Sequence, residues 1–332
     1  MVKRIMNEEK TMVDQMLAGF VFEQGGRLAY DINHRIVYDE QADNRIPIIS
    51  GGGSGHEPGH FGYVGDGMLT AAVHGDVFIP PTSEQVLAAI RTVDKSDGVL
   101  LIIKNFAADL AAFLEAKAEA RSEGRKVEHV IVNDDVSIEN NRTFEKRRRG
   151  VAGTIFVHKI LGAAAREGLS LIELKELGEA VVTNLSTLGV ALSQADLTGE
   201  ALPQFELGDN EVYFGVGIHG EKGYRKEPLV SSEVLAVELM NKLKSLYLWQ
   251  IGESFAILIN GLGGTPLMEQ YIFANDIRRL MKIEGIEARF VKVGNQLTSL
   301  NMEGISLTLL HLTDPRWIKW LEAPVAAPKW KG

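Results

Sequence analysis

The chain has 332 residues, 45% of them hydrophobic and 24% charged, with a formal net charge of −9 and no cysteine. That length suits two domains better than one, and the composition is that of a chain able to bury a full core. Without cysteine there is no disulfide, thiolate metal site or cysteine nucleophile, and the acidic balance argues against a nucleic-acid surface spread over the whole chain.

Short β-branched runs alternate with longer segments rich in Ala and Leu. In chain order the pattern predicts a helix over Lys10–Gln24, a strand over Ile46–Ile49, a helix over Ser83–Asp94 and a strand over Val99–Lys104. A helix over Asp109–Glu123, a strand over Val127–Val132 and helices over Thr154–Arg166 and Leu171–Leu188 follow. The stretch Ser193–Asp209, "SQADLTGEALPQFELGD", has neither period and many turn-formers, so it reads as a connection between domains. Beyond it come a strand over Val212–Gly217, a helix over Ser231–Ser245, a strand over Phe255–Ile259 and a helix over Leu267–Glu284. Strands over Ala288–Val293 and Ser306–Leu310 and a helix over Pro315–Leu321 complete the series. Such alternation predicts an α/β fold with two domains, 1–190 and 191–332, each a central, largely parallel sheet covered by helices. No apolar run reaches the length of a membrane helix, and the charged N-terminus lacks the apolar core of a signal peptide, so the expected compartment is the cytoplasm.

The segment Ser50–His60, "SGGGSGHEPGH", packs five glycines and two histidines into eleven residues after an apolar run. Its His-Glu-x-x-His string is not a zinc site, because Pro58-Gly59 between the histidines breaks the helix that such a site requires. It is not a P-loop either, since no Lys-Ser/Thr follows the glycines. No metal or cofactor is expected. What remains is a glycine-rich loop at a strand end, where backbone amides at Gly52 and Gly53 can approach a small polar ligand and His56 can touch it. Taken alone, the loop reads equally as a tight turn with a satisfied histidine. Two other stretches share the placement: Lys104–Asp109 after the strand Val99–Lys104, and "GVGIHGEKG" around His219. Glycines on both sides of His219 would expose its imidazole, although a turn or core histidine reads the same way. The basic run Lys146–Arg149 reads as a solvated loop.

"GGGSGHEPGHFGYVGDGML", "VNDDV", "RRGVAGTIFVHKILGAAA", "GVGIHGEKG", "NGLGGTPLMEQY" and "TSLNMEGISLTLL" together resemble the dihydroxyacetone-binding DhaK subunit family, over about residues 10 to 325. The resemblance implies two α/β domains, a homodimer, and capture of dihydroxyacetone as a hemiaminal on a histidine, which His219 matches. It implies that His56 hydrogen-bonds the ligand, that Asp109 contacts a ligand hydroxyl and serves as general base, and that Lys104, Gly52 and Gly53 complete the pocket. In kinase members an ADP-carrying partner subunit supplies the phosphoryl group, which would explain the missing P-loop.

The chain departs from the kinase pattern around this pocket. Asn-Tyr-Thr-Gly-Asp becomes Asn105–Asp109, "NFAAD"; Ser-Pro-Thr-Pro-Asp becomes Pro80–Glu84; and Thr-x-Gly-Arg-Arg-Gly becomes Phe144–Gly150. Gly-Glu-Pro-Gly becomes Gly220–Gly223. A retained pocket with a rewritten rim resembles the DhaQ-type coactivator branch, which implies a TetR-like transcription regulator as partner; the alternative is an active kinase subunit with a divergent rim, whose partner would be the ADP-carrying subunit. No direct contact with nucleic acid or membrane is expected of the chain itself.

Overall fold

A computed structural model describes residues 5–42, 45–138, 148–195 and 205–330. Two six-stranded mixed sheets organise the molecule. The first is built from β1 (Ala29–Asp31), β2 (Ile36–Tyr38), β3 (Ile48–Ser54), β4 (Ala71–Val77), β5 (Val99–Lys104) and β6 (Val127–Val132), in the order β1-β2-β4-β3-β5-β6. Its β4-β3-β5-β6 portion is parallel, and the β1-β2 hairpin adds antiparallel at one edge. The second contains β7 (Leu185–Ala191), β8 (Glu211–Phe214), β9 (Arg225–Pro228), β10 (Ser254–Gly261), β11 (Glu287–Gly294) and β12 (Gly304–His311), in the order β11-β10-β12-β7-β8-β9. Only its β10-β11 pair is parallel, so the expectation of a largely parallel sheet holds for the first sheet and fails for the second.

Helices fill three layers around these sheets. The outer pair α2 (Ser83–Val93) and α3 (Ala107–Ser122) covers one face of the first sheet, with Val86, Ile90, Phe113 and Ala120 buried against Ile49, Val73, Leu101 and Ile103. The pair α6 (Ser232–Tyr247) and α7 (Leu267–Glu284) covers the far face of the second sheet. Between the sheets lie α4 (Thr154–Arg166), α5 (Leu171–Thr183) and α8 (Pro315–Glu322), beside the N-terminal α1 (Met12–Glu23). One continuous core runs from Ile48, Leu100 and Val130 through Phe156, Leu161 and Trp317 to Ala256, Leu258 and Leu310. A helix buried on all sides must be apolar almost throughout. Every α4 residue from Thr154 to Ala165 is buried.

Local chemistry sets several ends. Thr82 with Gln85, and Ser170 with Glu173, form capping boxes at the starts of α2 and α5. Gly285 closes α7 in the left-handed conformation, and Pro315 opens α8 behind the Asp314 cap. The predicted helix Leu171–Leu188 proves too long: it ends at Thr183, and Leu185–Ala191 is a central strand of the second sheet. The apolar run continues across that turn, so periodicity alone gave no stop. The connection expected over Ser193–Asp209 lies largely outside the described residues, which omit 196–204.

Candidate functional site

The site lies at the carboxyl ends of β3 and β5, where the order of the parallel strands reverses and an open α/β sheet leaves a crevice. The glycines expected to form a loop there are strand residues instead. β3 runs through Gly51, Gly52 and Gly53 to Ser54, all buried. The reason is close approach. A Cβ at Gly51 would overlap the Val73 carbonyl oxygen, and one at Gly53 would sit 2.7 Å from the Ile79 amide nitrogen and 2.8 Å from the Phe78 carbonyl carbon. At Gly52 a Cβ would overlap Lys104 Nζ and lie 3.1 Å from Asp109 Oδ1.

Lys104 ends β5 and is fully buried. Its Nζ donates to the Gly51 carbonyl at 2.9 Å and to His60 Nε2 at 2.9 Å, and stands 3.8 Å from Asp109 Oδ1. Burial pushes the lysine down from its ordinary range, against the pull of Asp109. Asp109 lies in the first turn of α3, where the helix dipole favours a negative charge. Burial nevertheless raises its carboxyl, opposed by Lys104 and His219.

His56 is wholly buried, and its Nδ1–H donates to the Thr298 carbonyl at 2.7 Å. That tautomer leaves a lone pair on Nε2. Burial, then the charges of His219 and Lys104, holds the ring well below the usual histidine range, so it is neutral. His56 Nε2 and Asp109 Oδ1 are both buried without a hydrogen-bond partner. The His219 ring packs 4.8 Å from that of His56, 4.4 Å from Phe106 and 5.6 Å from Phe78. Its Nδ1 donates to Glu221 Oε1 at 3.1 Å, which places the lone pair on Nε2. Phe78 holds a left-handed backbone with φ 58°. A non-glycine residue in that region is strained, and such strain collects at functional sites.

All six residues singled out from the sequence, Gly52, Gly53, His56, Lys104, Asp109 and His219, therefore meet in one region. Several contributors carried no role in that reading. The segment between β11 and β12 reaches across from the second sheet: Leu300 N–H donates to the Gly55 carbonyl at 2.7 Å, and Thr298 Oγ1 to the Glu57 carbonyl at 2.9 Å. The neighbouring Ser299 hydroxyl donates to the Ile218 carbonyl beside His219. "TSLNM" stood out as a motif, but nothing in its composition says that it clasps two histidines. Arg149 corrects the basic-loop reading. It is buried, pairs with Asp135 at 2.6 Å and donates to the Gly215 carbonyl at 2.8 Å. Lys146 and Arg147 lie outside the described residues. The rim residue Thr82 accepts from Gln85 N–H as the cap of α2, whereas Ala107 and Ala108 are exposed. Among the described residues no cluster of three or more His, Asp or Glu has the geometry to hold a metal, and no helix is long and apolar enough to cross a membrane.

The Dak1 domain model matches residues 18–329. The chain belongs to the Dak1 domain family. It is 45% identical over 329 residues to the dihydroxyacetone-binding subunit DhaK of the PTS-dependent dihydroxyacetone kinase of Lactococcus lactis, covering 99% of both chains. It is 48% identical over 330 residues to the DhaKLM operon coactivator DhaQ of the same organism, covering 98% of this chain and 100% of that one. Among solved structures, a dihydroxyacetone kinase operon co-activator, Dha-DhaQ, matches with a TM-score of 0.90 at 46% identity, covering 95% of this chain and 97% of the other. The dihydroxyacetone kinase of C. freundii also matches at 0.90, with 34% identity, covering 99% of this chain and 60% of that one. The Dak1 assignment thus rests on nearly the full length, and relatives of both the kinase and the coactivator kinds stand at similar distance.

Proposed function

We propose that this Dak1 chain binds dihydroxyacetone as a hemiaminal on His219 and acts in the cytoplasm as a ligand sensor, the coactivator of a dihydroxyacetone kinase operon working through a TetR-like regulator. The observation that carries the binding half is the juxtaposition of the His219 ring with two buried acceptors that lack partners, His56 Nε2 and Asp109 Oδ1. A dihydroxy ketone supplies two hydroxyl donors for those acceptors and one electrophilic carbon for the imidazole. Glycerol offers the hydroxyls without the carbon. The His219 Nε2 lone pair forms the N–C bond while the carbonyl π pair moves onto oxygen. That oxygen takes one proton from water, and Nδ1 releases one through Glu221, so the sum needs no oxidant, reductant or cofactor.

The sensor half is supported by the start of α3. Phe106 packs 4.4 Å from the His219 ring, and Phe106, Ala107 and Ala108 stand where kinase members of the family carry Tyr-Thr-Gly, so two hydroxyls and a glycine are replaced. In-line phosphoryl transfer tolerates little misplacement, with about 1 Å costing on the order of 100-fold in rate. The test is a reconstituted assay with an ADP-carrying kinase subunit, set beside ligand-dependent co-purification with the regulator. Capture without turnover, plus a ligand-dependent complex, is the expected result. Robust phosphorylation would make the chain a kinase subunit, the reading that its identity to DhaK favours.

We propose two further features of the assembly. The exposed apolar residues Leu267, Met268, Tyr271 and Ile272 on α7 suit a homodimer contact, which sedimentation would reveal. A division into two α/β domains is supported by the separate outer helix pair of each sheet, with the boundary before β7 (Leu185–Ala191), because a cut at residue 190 would sever that strand of the second sheet. Chains 1–184 and 185–332 expressed together should then reassemble and bind ligand, and failure to do so would count against that division.

A further inference from the structure

Beside His219 lies a chain of charges of which the binding reading uses only Glu221. Glu221 accepts from His219 at both its ring and its backbone, with Nδ1 at 3.1 Å from Oε1 and the amide nitrogen at 3.0 Å from Oε2. Arg149 Nη1 stands 3.9 Å from that Oε2. Arg149 is fixed in turn by Asp135 at 2.6 Å, the Ser137 hydroxyl at 2.9 Å and the Gly215 carbonyl at 2.8 Å. The arrangement has space built for it. A Cβ at Gly217 would lie 2.7 Å from Glu221 Cδ and 2.5 Å from Arg149 Nη1. The glycine two residues before His219 thus makes room for the carboxylate and the guanidinium, a role the exposed-imidazole reading of the motif did not contain.

We infer that Arg149, acting through Glu221, is a positioning residue that keeps His219 in its neutral, nucleophilic form. This rests on the reading of His219 as the capturing residue. A partly buried carboxylate beside an imidazole draws a proton, either onto itself or onto the ring, and an imidazolium cannot add to a ketone. A guanidinium fixed by its other partners and 3.9 Å from Oε2 balances Glu221 without that proton. The carboxylate can then be ionised while the ring is neutral, orient Nδ1–H toward itself and accept that proton as Nε2 becomes substituted. Glu221 is held below the usual carboxylate range: burial pushes it up, and the His219 hydrogen bond, a charge on that ring when it is protonated, and Arg149 outweigh it. The other ionisable groups around the ring are His56 and Asp109 across the pocket, with Lys104 behind Asp109 and Asp135 behind Arg149.

The test uses the full chain and dihydroxyacetone labelled with carbon-13 at the ketone. Carbon NMR reads conversion of the ketone carbon to a tetrahedral one, and affinity is followed from about pH 5 to about pH 9. The wild-type protein should show the tetrahedral signal, with an acid limb below which capture is lost. Arg149→Met should move that limb to higher pH by about one unit, leaving capture roughly tenfold weaker on the acid side and unchanged on the alkaline plateau. Arg149→Lys should recover most of the loss. Glu221→Gln should move the limb the opposite way, because the ring loses the charge that favours its protonation, and should weaken the alkaline plateau by about tenfold. A uniform weakening of Arg149→Met at every pH, or a Glu221→Gln limb that moves with it in the same direction, would overturn the inference. If Arg149→Met does not fold, the Glu221→Gln profile decides alone. A wild-type protein that binds without a tetrahedral signal, or a His219→Ala protein that retains it, would instead remove the capturing role of His219.

Discussion

Replacing Gly53 by alanine probes how tightly the pocket floor is built. The added methyl would meet backbone: Ile79 N at 2.7 Å, Phe78 C at 2.8 Å and Phe78 Cα at 2.9 Å. Non-bonded heavy atoms settle near ~3.5 Å, so the Phe78–Ile79 backbone must retreat by roughly 0.7 Å. Ile79 N–H donates to the Asp76 carbonyl at 3.1 Å, and that retreat carries it past hydrogen-bonding range. One lost backbone hydrogen bond, about 1 kcal/mol, adds to overpacking of about 1–3 kcal/mol. Gly53→Ala should therefore lower unfolding stability in urea by about 2–4 kcal/mol. Phe78 lies 5.1 Å from the His56 ring and 5.6 Å from that of His219, so dihydroxyacetone affinity, measured by calorimetry, should fall at least about tenfold. Gly19→Ala, with nothing within 4 Å of its new methyl and a helical position, is the control and should gain about 0.5–1 kcal/mol. A Gly53→Ala protein matching wild type in both urea midpoint and affinity would refute the close-approach argument.

Three other outcomes follow from the same geometry. His56→Ala removes a buried acceptor and the donor to Thr298, so ligand affinity should drop by about one to two orders of magnitude; unchanged affinity would place the pocket elsewhere. His74 and His158 are fully buried, and burial, then Lys104, pulls both down from 6.5 to about 3. A histidine with a depressed folded value stabilises the fold above its unfolded value and loses that contribution as pH falls toward the folded one. Between pH 7 and pH 5 the pair should cost about 4 kcal/mol, and a His74→Gln/His158→Gln protein whose urea stability has the same pH slope would contradict this. Amide exchange at Thr298 and Leu300, which donate to the His56 and Gly55 carbonyls, should slow when dihydroxyacetone binds; no change would detach that segment from the pocket.

The sequence carried the site further than it carried the fold. β5 matched its predicted bounds because a buried parallel strand is a nearly unbroken apolar run, β6 because valines frame the polar Glu128 and His129 of that edge strand, and α4 and α7 because their ends agree. Strand β4, "AAVHGDV", went unseen because small residues and glycine blur alternation, and β9, "RKEP", because an exposed edge strand is polar throughout. The hairpin β1-β2 is too short to show a period. At the site, His56, Asp109 and His219 were legible because each follows a strand end beside glycine or a helix start. Arg149 was not, since four basic residues in a row look solvated until a fold buries one of them beside Asp135. Thr298 meets His56 across 242 residues of chain and Ser299 meets Ile218 across 81, and no local pattern encodes such a reach.

The Thr298–Leu300 clasp has a thermodynamic meaning. It belongs to the second sheet, yet it holds the His56 turn of the first, while its Ser299 holds the His219 loop. Ligand that needs both histidines can bind only when the clasp is closed, so occupancy and closure are linked and each favours the other by the same factor. Every tenfold excess of free ligand over its dissociation constant then adds about 1.4 kcal/mol to the closed form. On the proposed sensor reading, a protein wired in this way would convert the concentration of a three-carbon metabolite into the rigidity of a surface spanning both sheets, a quantity that another macromolecule could read without ever touching the ligand.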